Sequence, residues 1–354
     1  MEPSTHPGTK HAGLLKDPEH AEQSVRVRAP ADAVLALLTD LRLWPVLFEP
    51  VVYAEPGPAA DPNGPAALWT RAGERHVVRW SGTQSVRADE GVVDFRWSAR
   101  PQGAEAPGSA GDAPAARSAG STELAGRWSA QPLPAGGTLL TLRLAAAPAD
   151  ISFLGPSFVR TLRERAEAGR AAADLVFTFQ DTVRVRGHAA DVYTFLRDAG
   201  RWPGAVSHIA SVELSEPVPG VQHVLSGIRA ADGTVQQVPS LRLCLPPDRV
   251  VYTPLTVPPF ASAHLGEWIV TEAENGTVSV TGRHTVALRP NRIATAFGPG
   301  VTADDARRRV RVVLGAHSLA TIDAARAHAE AAVEAAGSAS PFVSGSRSTS
   351  PVGG

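Results

Sequence analysis

A single cysteine, Cys244, leaves this chain without an intrachain disulfide and excludes a thiolate metal cluster. No apolar run approaches the roughly 18 residues of a membrane-crossing helix. The opening segment MEPSTHPGTKHAG lacks the apolar centre of a secretory signal. A soluble, cytoplasmic protein with no membrane partner is therefore expected. Lysine is nearly missing too, with only Lys10 and Lys16, so the cations are almost all arginine. The formal net charge of −1 provides no basic surface of the kind that holds nucleic acid. Motifs are absent as well. There is no G-x-G-x-x-G after a strand, no phosphate loop, no G-x-S-x-G elbow and no H-E-x-x-H. The eleven histidines are scattered, with no pair at ligand spacing on one expected face. Neither a metal-dependent nor a nucleotide-dependent enzyme is expected.

What is present is a duplication. Val25 to Pro45 (VRVRAPADAVLALLTDLRLWP) returns without a gap as Val183 to Pro203 (VRVRGHAADVYTFLRDAGRWP), an offset of 183 − 25 = 158 residues. Ten of the 21 positions are identical, ending in Trp44-Pro45 and Trp202-Pro203. A unit of this length folds as a domain and not as a solenoid repeat. Gly126-Arg127-Trp128 returns as Gly266-Glu267-Trp268 at an offset of 140, shorter by about the length of the Gly/Pro/Ala/Ser-rich insertion 101–120.

Each copy opens on an alternating strand and continues into a short helix, Pro30 to Asp40 and Ala189 to Asp198. Trp-Pro ends a second helical piece. Strand-like segments follow: His76–Val86, Gly91–Ala99 and Thr138–Ala145 in the first copy, and Val221–Ile228, Val235–Leu245, Val250–Thr256, Gly266–Glu272 and Thr277–Leu288 in the second. Each copy closes on a long helical pattern, Pro156 to Asp174 and Thr302 to Ala335, with Asp304 and Asp305 favourably placed in the first turn of the latter. The expected fold class is α+β, with two tandem domains at 18–172 and 173–336. Each is a curved antiparallel sheet wrapped around its C-terminal helix, an arrangement that leaves an internal cavity. Residues 1–17 and 337–354 read as disordered.

These features resemble the helix-grip superfamily of StAR-related lipid-transfer proteins and birch-pollen allergens. More narrowly, the duplicated strand–helix–Trp-Pro opening, the paired Gly-x-Trp, the terminal helices and the length resemble the di-domain aromatase/cyclases of type II polyketide synthases. The resemblance implies aldol closure and dehydration of the first ring of a poly-β-ketone held on an acyl carrier protein. It implies other polyketide synthase subunits as further partners, and no metal or organic cofactor. The alternative is a non-catalytic carrier of a hydrophobic ligand on the same fold.

Candidate residues concentrate in the second copy. Alternation places Gln236, Val238, Ser240 and Arg242 on one strand face, and the resemblance implies that Ser240 and Arg242 form a cavity-facing Ser-x-Arg. If Leu241, Leu243 and Leu245 were the inner face instead, Arg242 would point to solvent. A permanently charged, multidentate guanidinium suits a developing enolate or alkoxide. His264, just before Gly266-Glu267-Trp268, is the candidate proton-transfer group, as an imidazole titrating near neutrality. His223 and His284 are weaker versions of it, and Tyr252 joins Gln236 as a substrate-binding candidate. In the first copy Gln84 stands at the Arg242 position. Trp69, Trp80 and Trp97, unmatched in the second copy, are candidates for an aromatic wall unless they are core. The resemblance also implies a pocket tyrosine beyond Trp-Pro, where this chain has Val51 and Ile209. Arg307, Arg308, Arg309 and Arg311 form either a docking face for an acidic carrier or an ordinary solvated face.

Overall fold

The computed structural model describes residues 21–57, 63–73, 76–101, 122–146, 154–230 and 232–338. The arm 1–17, all but the first residue of the insertion 101–120 and the tail from 339 onward lie outside them. The chain divides into two units, Met1–Asp174 and Leu175–Gly354.

In the first unit β1 (Ala21–Val27) leads into α1 (Ala31–Thr39) and α2 (Trp44–Leu47). Then come β2 (Val51–Glu55), β3 (Pro65–Ala72), β4 (His76–Arg87), β5 (Val92–Pro101), β6 (Thr122–Pro132), β7 (Thr138–Ala146) and α3 (Pro156–Ala173). The second unit repeats the plan with β8 (Val176–Val185), α4 (Ala189–Arg197), β9 (Ile209–Val218), β10 (Val221–Arg229), β11 (Val235–Leu245), β12 (Arg249–Pro254), β13 (Ala261–Glu272) and β14 (Val278–Leu288). It ends in α5 (Pro290–Phe297) and α6 (Ala303–Ser338). Each sheet has seven antiparallel strands, ordered β1-β7-β6-β5-β4-β3-β2 and β8-β14-β13-β12-β11-β10-β9. The helix-grip architecture expected from the sequence is the observed one.

Packing explains the two repeated motifs. The Trp44 indole Nε1 donates to the Leu37 carbonyl at 3.1 Å, and Trp202 Nε1 donates to the Phe195 carbonyl at 3.2 Å. Each satisfies a carbonyl orphaned at the end of the preceding helix. The glycine of Gly-x-Trp makes room for an aromatic ring on the neighbouring strand. Gly126 pairs with Phe95 and Gly266 with Tyr252, and a Cβ at either glycine would overlap that ring.

Strands β2, β3 and β9 and helix α5 were not anticipated. β9 is an edge strand, exposed along much of its length, so its residues carry little apolar alternation. The start of α6 is held by a reciprocal capping box: Thr302 N donates to Asp305 Oδ2 at 3.1 Å and Asp305 N donates to Thr302 Oγ1 at 3.2 Å.

The two interiors differ. In the first unit Phe158 of α3 stacks on Phe48 at 3.8 Å and on Trp128 at 5.7 Å, with Trp44 edge-on at 5.2 Å. In the second unit the core separates into two clusters. One gathers Phe195, Trp202, Trp268 and Ile322 around the later turns of α6. The other gathers Leu175, Leu288, Ile293 and Val310 around its first turns. Between them is a cavity.

Candidate active site

The cavity has a volume of about 460 Å³ and is walled by β10 to β14, the segment before β9, α5 and the middle of α6. That volume falls within the usual range of small-molecule sites, roughly 300–1,000 Å³. Every residue lining it belongs to the second unit. Gln236, Thr256, Pro258 and Val313 line it and are also exposed, and so mark its opening. Arg242, Trp202 and Trp268 are buried at the far end. Six residue steps of extended strand lead from Gln236 to Arg242, which makes the lumen ~20 Å deep along β11.

The four residues that alternation grouped on one face of β11, Gln236, Val238, Ser240 and Arg242, all line this lumen. Leu241 and Leu243 are buried on its other face, so apolar character alone did not distinguish the two faces. Arg242 is 2% exposed. Its Nη2 donates to the Leu196 carbonyl and its Nη1 to the Arg197 carbonyl at 3.5 Å, so it caps the C-terminus of α4, where the helix dipole favours a cation. Its guanidinium carbon lies 4.9 Å from the Trp202 ring centre and 5.9 Å from that of Trp268, in cation–π contact. Burial lowers its pKa, but a guanidinium stays charged. Its hydrogen-bond acceptors are neutral carbonyls and among the described residues no carboxylate pairs with it, so its charge is left to the cavity floor.

A single cross-strand row organises the inner face. Gln222, Arg242, Tyr252, Gly266, His284 and Phe179 are successive partners across six strands. Tyr252 stacks on Trp268 at 4.4 Å, and burial raises its phenol pKa. One step from this row, His264 Nε2 lies 3.0 Å from His284 Nδ1 in a hydrogen bond whose direction depends on the tautomers. His284 is 2% exposed and stacks on Phe179 at 4.9 Å. His264 keeps some exposure, and it faces the lumen. Burial holds the His264 imidazole down to about 4. The same burial, with the nearby His264, Arg311 and His317, holds His284 at about 3. The expectation of a histidine titrating near neutrality is therefore corrected: both rings are neutral at pH 7, because the cavity wall cannot solvate an imidazolium. His284, a weaker candidate from sequence, is the direct partner of His264. His223 belongs to the opposite face of β10 from the cavity-lining Val224, Ser226 and Ile228 and is not among the lining residues.

Sequence reading missed His208 and His317, which also line the cavity. His208 precedes Ile209, the position where the resemblance placed a tyrosine, and Ile209 lines the cavity as well. His317 falls on the stripe Val310, Leu314, His317 and Thr321, and that helical spacing was the available signal.

In the first unit the row equivalent to Arg242–Tyr252–Gly266–His284 reads Gln84–Phe95–Gly126–Leu144. Gln84 is buried there. Trp80 and Trp97 share its face, and Trp80 Nε1 donates to Thr70 Oγ1 at 2.9 Å. Trp69 pairs with Arg79 on the other face, its ring tilted against Tyr53 at 5.3 Å. The three tryptophans therefore do not form one wall: Trp80 pairs with Leu68, and Trp69, the next residue along β3, points to the opposite face. The arginines of α6 are largely neutralised within the unit. Arg307 and Arg308 pair with Asp304 and Asp305, Arg311 pairs with Asp181 at 2.6 Å, and Arg309 donates to the Phe297 carbonyl at 2.9 Å. Among the described residues no cluster of three or more His, Cys, Asp or Glu side chains is arranged to hold a metal ion. No described helix is long and apolar enough to cross a membrane.

No family model matches the chain. It is 30% identical over 329 residues to the granaticin polyketide synthase bifunctional cyclase/dehydratase of Streptomyces violaceoruber, covering 89% of this chain and 94% of that protein. It is 31% identical over 322 residues to the actinorhodin polyketide synthase bifunctional cyclase/dehydratase of Streptomyces coelicolor, covering 86% and 95%. Among solved structures, the di-domain ARO/CYC StfQ of the steffimycin biosynthetic pathway superposes with a TM-score of 0.75 at 27% identity, covering 89% of this chain and 99% of StfQ. The di-domain ARO/CYC BexL of the BE-7585A pathway gives 0.68 at 28%, covering 88% and 98%. Taken with the doubled helix-grip fold and its polar cavity, these likenesses show that the chain belongs to the family of polyketide synthase bifunctional cyclase/dehydratases.

Proposed function

We propose that this chain closes and dehydrates the first ring of a poly-β-ketone delivered by an acyl carrier protein, and that the reaction takes place in the cavity of the second unit. The observation that carries the reading is the polar row Arg242–Tyr252–Gly266–His284, beside Ser240 and His264 in one lumen. A carrier of hydrophobic ligands is served by an apolar lumen, whereas this one holds a cation and paired imidazoles.

The chemistry asks little of a protein. A methylene between two carbonyls is already acidic, so a neutral imidazole suffices as base, and neither a metal nor an organic cofactor is required. In this reading His264 takes the methylene proton and shares it with His284 across their hydrogen bond. The Arg242 charge lowers the energy of the enolate at the cavity floor. Ser240 and Gln236 hydrogen-bond carbonyls along the chain, and Tyr252 with Trp268 forms a flat wall that holds it bent. The borrowed proton returns to the new alkoxide to make a hydroxyl. Dehydration then carries the remaining proton of the same carbon through His264 to the departing hydroxyl, as the C=C bond forms and water leaves. Gln84, Trp80 and Trp97 would then serve mainly to build the first unit.

The test reconstitutes the minimal polyketide synthase with and without this protein and compares products by mass spectrometry. A new product, lighter by water and carrying an aromatic first ring, is expected. An unchanged product profile would sink the proposal.

A further inference from the structure

The lumen holds a second pair of histidines that the reaction above leaves idle. His208, from the segment entering β9, and His317, from the middle of α6, stack face to face with ring centres 4.3 Å apart and planes within 7°. Both line the cavity. His208 Nδ1 is buried with no hydrogen-bond partner among the described residues, and so is the Oγ of Ser318, next to His317. Burial holds His208 at about 4 and lowers His317, so neither ring is charged at pH 7. A structural histidine ordinarily ties a ring nitrogen to a carbonyl or carboxylate, and here a buried ring nitrogen is left unspent. His317 helps hold the His284 pKa down, and His264, His284, His208 and His317 all line the one lumen.

Ring closure needs two partners, a carbon that gives up a proton and a ketone that accepts the new bond. The sheet supplies the base through His264 and His284. Resting on that assignment, we propose that the His208–His317 pair polarises the accepting ketone, donating a neutral imidazole N–H to its oxygen. The methylene C–H breaks and its proton goes to His264. The new C–C bond forms as the carbonyl π pair moves to oxygen, which the imidazole N–H holds until His264 returns the proton. Nothing is oxidised or reduced. A neutral imidazole suits this role because it stabilises the oxyanion without protonating the ketone or quenching the enolate.

The experiment uses the full chain with a synthetic poly-β-ketone thioester of N-acetylcysteamine as substrate and 1-naphthol as a probe of cavity integrity. His317→Phe and His208→Phe keep a stacked ring but remove the donor. Each should lower kcat by about 100-fold, the usual effect of deleting one oxyanion donor, with naphthol binding unchanged. His317→Gln restores an N–H and should recover part of kcat. In the wild type, ¹⁵N spectra of labelled histidine should move at His208 or His317 when benzophenone, a non-enolisable ketone, is added. This reading needs no variant to fold. Phenylalanine variants that cyclise like the wild type, a His317→Gln variant no faster than His317→Phe, or unmoved histidine resonances would each overturn the role. A wild-type protein that leaves the thioester linear would instead defeat the parent reading of the cavity as a cyclase site.

Discussion

Replacing Arg242 by leucine would leave the carbonyls of Leu196 and Arg197 without their donor while emptying the space over Trp202 and Trp268. Each buried carbonyl left unpaired costs about 1–3 kcal/mol, so Arg242→Leu should lower the thermal midpoint by several degrees as well as abolish ring formation. Arg242→Lys separates the two effects. It keeps a charge but cannot fork to two carbonyls or lie flat on two indoles, so calorimetry should show an intermediate midpoint and product analysis a residual activity. Equal midpoints for wild type and the leucine variant would contradict the capping role. The buried histidines set a second expectation. His208 and His264 take up protons in the fold only near about 4, and His284 near about 3. In the unfolded chain they do so near the ordinary value of about 6.5. Between those limits the unfolded state binds more protons, so stability is full above pH 6.5 and falls as the solution is acidified. Thermal midpoints should drop from pH 7 to pH 4.5, and His284→Phe should flatten that dependence.

At the scale of elements, the cavity depends on glycines that let β13 and β14 approach their neighbours. Gly266 lies under the Tyr252 ring, and Gly282 lies under Ser318 and Ile322 where α6 rests on β14. Gly266→Ala should push Tyr252 off Trp268 and into the lumen. The expected result is weaker naphthol binding and slower cyclisation, with the far-ultraviolet circular dichroism of the sheet retained. Unchanged binding would show that the Tyr252 wall is not part of the ligand's seat. The Gly-x-Trp repeat was visible in the chain, but the ring that the glycine accommodates belongs to another strand, Phe95 in one unit and Tyr252 in the other. Strand alternation was enough to assign Gln236, Ser240 and Arg242 to one face of β11. It could not say that both faces of that strand are buried, nor that Trp69 and Trp80 turn opposite ways. Those outcomes depend on cross-strand register, which one strand's pattern does not contain.

At the scale of the molecule, duplication provides two copies of one fold and divergence differentiates their interiors. Arg242→Ala should remove nearly all aromatised product in the reconstituted synthase, whereas Gln84→Ala should leave most of it, as read by mass spectrometry of the products. Equal losses would mean that the two units share the chemistry. The residues legible as repeats, Trp44 with Trp202 and Gly126 with Gly266, build helix caps and strand contacts common to both units. The chemically distinctive residues are those that the duplication did not preserve.

By itself the sequence determined the duplicated α+β architecture and the grouping of Gln236, Ser240 and Arg242 on one strand face, because those follow from periodicity and from repetition of the residues that satisfy backbone groups; that this face lines the cavity was decided by the fold. The tertiary structure alone decided which histidines meet. His264 joins His284 across adjacent strands, and His208 joins His317 only because the sheet curls its edge toward the terminal helix. It also decided their protonation, since the burial that keeps all four rings neutral arises from packing contributed by several distant segments of the second unit.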